Sequence, residues 1–83
     1  MYKWRKLTKE PIAKGQQGCI FECICDEFED TFIMKEFSKK KSISMFLKEV
    51  DHQRKAYGMG VAPRIVDIHI PVKKNVEPYF VME

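Results

Sequence analysis

Apolar positions between residues 2 and 38 come in short, strand-length runs. Tyr2, Trp4, Leu7 and Ile12 alternate irregularly with polar residues and predict a first strand over 2 to 12. "CIFECICDEF" is dense in Ile, Phe and Cys and predicts a second. The acidic turn "DEFED" parts it from "TFIMKEF", a third run of β-favouring residues. Connections this short cannot cross over a sheet, so the three strands are expected as an antiparallel meander.

From Ser42 the period changes. Ile43, Phe46, Leu47, Val50 and Tyr57 fall on one stripe of a helix. Ser42 or Ser44 can cap its start, Gly58 suits the left-handed position after its end, and Pro63 follows where no helix could continue. "RIVDIHI" then alternates as a fourth strand, Pro71 ends it, "VKKNVEP" is a polar turn, and "YFVME" begins a fifth. The expectation is a single α+β domain spanning residues 1 to 83: a five-stranded antiparallel sheet with one principal helix between strands three and four. One helix can cover only one face of such a sheet, so the other face is expected to want a partner.

Composition adds little. The 83 residues carry 15 Lys and Arg against 12 Asp and Glu, a net charge of +3, which does not by itself point to nucleic acid or a membrane. No stretch approaches the length of a membrane span, and "MYKWRKLTKE" has no apolar leader core, so an intracellular, cytoplasmic or nuclear protein is expected. Cys19, Cys23 and Cys25 are odd in number and crowded into one strand, which favours reduced thiols over a disulfide framework. His52 and His69 lie far from them in sequence, so no metal site is expected. Neither histidine has an acid or base partner at readable spacing. Lys39 to Lys41 read as a solvated loop, and Tyr2, Trp4 and Phe28 as strand packing.

The stretch with chemical content is "IAKGQQGCI", residues 12 to 20. A Walker A loop needs Lys and Ser or Thr directly after its last glycine and then a helix, whereas Gly18 is followed by Cys19 and Ile20 in strand-like sequence. A dinucleotide-binding fingerprint also needs a helix there, because the pyrophosphate sits on its N-terminus. What remains is a glycine loop between antiparallel strands, where the missing Cβ lets backbone N–H groups approach phosphates. Downstream, Lys35 follows the apolar trio of "FIMK" in a central strand, where a charge needs a partner. Glu49 supplies one, at about 60° from Phe46 on the helix and so at the edge of the apolar stripe. Two unit charges about 4 Å apart attract by about 4 kcal/mol at an effective dielectric near 20, before desolvation.

Taken together, the glycine loop, the strand lysine, the helix glutamate, "GMGVAPRIVD" leading into strand four and the closing "VME" resemble the N-terminal lobe of a eukaryotic-type protein kinase over nearly all 83 residues. Ala13, Gly15, Gly18 and Ile20 match the family's G-x-G-x-x-G-x-V loop, with Ala13 in place of the first glycine. The resemblance implies that Ile12, Ala13, Lys14, Gly15, Gln16, Gln17, Gly18 and Ile20 form the nucleotide-binding loop. It implies that Lys35 holds the α- and β-phosphates and pairs with Glu49. Ile33 stands where the family has the alanine that roofs the adenine, Met82 at the gatekeeper position and Glu83 at the first hinge position. The implied ligand is ATP, with Mg²⁺ held mainly by a C-terminal lobe expected beyond the hinge and absent from these residues.

The function so implied is the ATP-binding lobe of a protein kinase, with serine and threonine as the expected acceptors, inactive without its second lobe. H-R-D and D-F-G sequences do not occur in the 83 residues. Two alternatives share the plan: a small-molecule kinase of the same fold, and a non-catalytic module that docks on another protein.

Overall fold

A computed structural model describes residues 2–16, 18–38, 42–72 and 76–83. The chain forms β1 (Arg5–Lys6), β2 (Ala13–Lys14), β3 (Gly18–Ile24), β4 (Phe32–Phe37), α1 (Ile43–Gly58), β5 (Ile65–His69) and β6 (Tyr79–Met82). The strands make one antiparallel sheet in the order β1-β3-β4-β6-β5, with β2 also paired to β3. This is the expected α+β domain of one sheet and one helix, with the helix between β4 and β5.

The sheet has six strands where five were expected, because the first one is broken. Arg5 and Lys6 pair with Ile24 and Cys23, and Ala13 and Lys14 pair with Ile20 and Cys19. Leu7 and Ile12 still donate to Glu22 O and Ile20 O. Between them the chain bulges out, with the Thr8 hydroxyl donating to Glu10 O at 2.7 Å, and Pro11 has no N–H to offer the ladder.

Period-two alternation sorts the sheet residues onto two faces. On one, Phe37 and Phe80 pack with Phe46 and Val50 of α1, all four at most 4% exposed. The Phe37 and Phe46 rings meet edge to face, with centroids 5.2 Å apart at 84°. The helix starts where Ser42 accepts a hydrogen bond from Met45 N at 3.2 Å. It ends otherwise than the sequence suggests: Gly58 stays helical, and Gly60, at φ +78°, takes the left-handed position. The helical stripe is also narrower than expected. Ile43, Leu47 and Tyr57 are 40–51% exposed, because the helix buries its apolar side chains on the sheet along the line of Phe46 and Val50.

On the other face Phe21, Cys23, Met34 and Val81 are also buried. Part of this face is covered by the chain's own N-terminal segment. Trp4 packs against the cluster, and its Nε1 donates to Asp67 Oδ2 at 2.7 Å, tying the segment before β1 to β5. Lys6 Nζ sits 4.0 Å above the Phe21 ring. The three cysteines are free, and burial pushes the Cys23 thiol up to about 11. Among the described residues no helix is long and apolar enough to cross a membrane.

Candidate functional site

Where β2 turns into β3, Gly15 N donates to Gly18 O at 2.9 Å and closes a tight connection. The two glycines have different reasons to be there. A Cβ on Gly18 would collide with the Glu36 carbonyl across the β3–β4 ladder, so Gly18 serves the close approach of two strands. A Cβ on Gly15 would meet nothing within 4 Å. Of these two, Gly15 is the one that lies against open space.

That space is a cavity of about 320 Å³. Ala13, Lys14, Gly15 and Gln16 form its outer wall, and Gly18, Ile20 and Lys35 its inner one. Lys35 reaches it because β4 alternates: Ile33, Lys35 and Phe37 share the helix-facing side of the strand. There Lys35 Nζ lies 3.4 Å from Glu49 Oε1, as the helix angle of Glu49 predicts. Both side chains are about one-third exposed, at 29% and 33%. The Coulomb attraction at this separation is about 5 kcal/mol at an effective dielectric near 20, but solvent screening leaves such a pair about 1 kcal/mol or less of net stability. Its use is to aim the ammonium.

The charge around the cavity is unbalanced. Glu49 is committed to Lys35, and Glu36 to Lys6, with Oε2 2.9 Å from Nζ. Lys14 makes no ion pair among the described residues. A small cavity lined by the Lys35 ammonium, an open glycine and Gln16 suits an anion that accepts several hydrogen bonds, which is the chemistry of phosphate.

Other residues named from the sequence sit elsewhere. Ile12, 56% exposed, precedes the wall and donates its N–H to Ile20 O. Ile33 pairs with Met82 across β4 and β6, and Met82 packs with the helix-side cluster. Glu83 is exposed and its Oε1 accepts from Arg64 Nε at 2.7 Å. None of these four lines the cavity, although Ile33 and Met82 share its sheet face. Gln17 and Lys39 to Lys41 lie outside the described residues. His52 is exposed on the helix, and His69 stacks on Tyr79 at 4.9 Å.

Two wall residues escaped the sequence reading. Phe37 lies under the ammonium of Lys35, 5.4 Å from Nζ to ring centroid. Its signal was present, since it stands two positions from Lys35 in an alternating strand. Glu36 also lines the cavity while its carboxylate goes to Lys6. That pair joins residues 30 apart and leaves no local trace in the sequence.

Comparison with protein-family models, with curated proteins and with solved structures finds no match to this chain.

Proposed function

We infer that this domain holds the phosphates of ATP, as the nucleotide-binding lobe of a protein kinase whose catalytic carboxylates come from a second lobe. The observation that carries the reading is that Lys35, on the wall of a cavity bordered by the Gly15–Gly18 connection, is paired with Glu49 at 3.4 Å. Glu49 holds the Lys35 ammonium at the cavity edge, where it meets a phosphate oxygen without first giving up a random set of rotamers. Lys14 also borders the cavity, and the open space where a Cβ on Gly15 would stand lets a ligand approach the backbone there. Ile20 offers an apolar surface beside the phosphate pocket. Ile33 and Met82 continue that surface along the sheet toward Glu83, where a base would lie.

The carboxylates nearest the cavity, Glu49 and Glu36, are both committed to lysines, which is the wrong donor set for Mg²⁺. The chain's part in transfer is thus to bind and orient the triphosphate, and orientation of the acceptor hydroxyl falls to the second lobe.

Calorimetric titration of the chain with ATP tests this. The reading expects binding near millimolar or weaker, about 4 kcal/mol, lost in Lys35→Met. Micromolar binding by the chain alone, or binding indifferent to Lys35→Met, would overturn it.

A further inference from the structure

At the far end of β4 from the phosphate cavity lies a second hollow, of about 450 Å³, that shares only Glu83 with the residues the kinase reading names. Tyr2, Phe28 and Phe32 line it, with Asp30, Arg64 and Glu83 at its polar side. The rings meet edge to face beside the hollow: Tyr2 and Phe32 stand at 61° and 60° to Phe28, with centroids 5.0 and 5.4 Å from it. Tyr2 and Phe28 are 41% and 37% exposed, an unusual fraction for aromatic side chains with so many partners.

Charge decides what this corner can hold. The β3–β4 turn carries Asp26, Glu27, Glu29 and Asp30 around Phe28. Asp26 is paired with Arg5 at 2.7 Å, and Glu27 accepts from the Cys25 thiol. Glu29 and Asp30 make neither an ion pair nor a hydrogen bond among the described residues. Arg64 is neutralised by Glu83 at 2.7 Å, so it does not offset Asp30. Aromatic rings at an angle, with an uncommitted carboxylate beside them and a negative turn around them, attract an alkylated ammonium through the ring quadrupoles and the local field.

We propose that the hollow between Tyr2, Phe28 and Phe32 is a binding site for a trimethylammonium group, held by the rings and by Asp30. An anion is disfavoured by Glu29 and Asp30. A neutral apolar group would use the rings and gain nothing from the carboxylate. The proposal stands apart from the phosphate reading, because it shares no residue with that cavity.

Trp4 reports on the site. It is the only tryptophan of the chain and stacks on Phe28 at 5.9 Å and 13°, so a group entering the corner changes its emission. Choline is titrated at constant ionic strength, in parallel with its uncharged analogue bearing a tert-butyl group in place of trimethylammonium. Choline gives a saturating change, and the analogue binds about fivefold more weakly, the ratio that about 1 kcal/mol of cation–π and carboxylate attraction produces. Asp30→Asn, at an exposed position, weakens choline about fivefold and leaves the unfolding midpoint in place. A peptide bearing trimethyllysine is titrated in the same way: tighter binding than choline assigns the group to a protein partner, and equal or weaker binding to a small molecule. Equal binding of choline and its uncharged analogue, an unchanged choline affinity in Asp30→Asn, or no saturable response to choline or peptide overturns the proposal.

Discussion

Lys35 on β4, on the wall of the cavity beneath the glycine connection, lies 3.4 Å from the carboxylate of Glu49 on α1. With both side chains about one-third exposed, the pair orients more than it stabilises. Lys35→Met is therefore expected to change the unfolding free energy by about 1 kcal/mol or less, measured by urea denaturation, while removing nucleotide binding. A loss of several kcal/mol would make the pair a structural element and not a device for aiming an ammonium.

The two glycines separate cleanly by mutation. Gly18→Ala drives a methyl group into the Glu36 carbonyl and is expected to cost about 1–3 kcal/mol of stability. Gly15→Ala points its methyl group into open space and is expected to stay within about 0.5 kcal/mol of the unmodified chain. Thermal unfolding of the two variants side by side checks this, and the reverse order would contradict the roles assigned to them.

Trp4→Phe keeps an aromatic ring against Phe28 and Phe32 but deletes the donor to Asp67. Losing a hydrogen bond to a charged acceptor is expected to cost about 1–3 kcal/mol. Asp67→Asn retains an acceptor and should cost less. Equal stability of the unmodified chain and Trp4→Phe, measured by chemical denaturation, would mean that the segment before β1 is not fastened to β5.

How much of this was legible beforehand depends on range. The β3–β4 hairpin and the helix start follow from alternation and an N-cap serine, both local. The meeting of Lys35 with Glu49 was legible as well, because a helix angle and a strand face together fix where two side chains point. The Trp4–Asp67 bond joins residues 63 apart, and nothing near either announces the other. The break in the first strand hides in a Thr8 side-chain turn before Pro11. Periodicity drew the stripe through Ile43, Leu47 and Tyr57 but not its depth, since how far a helix sinks depends on the sheet beneath it.

Cys23 supplies a pH dependence. Burial, and secondarily Cys25, raise its thiol from 9.0 to about 11, so the folded state favours the protonated form. The resulting stability is fully present below pH 9 and is lost as pH rises toward 11. Tyr79, also pushed up by burial, acts in the same sense. Urea midpoints should fall across this window, and fall less steeply in Cys23→Ala. A midpoint that rises with pH there would contradict the buried, protonated thiol.

The most direct test of the phosphate-holding reading is a residue-resolved NMR titration of the isotope-labelled chain with ATP. The expected result is millimolar, saturable shifts gathered at Lys14, Gly15, Gly18, Ile20 and Lys35, with the Lys35 ammonium among the largest. Shifts scattered over the surface, or confined to residues away from the Gly15–Lys35 cavity, would contradict it.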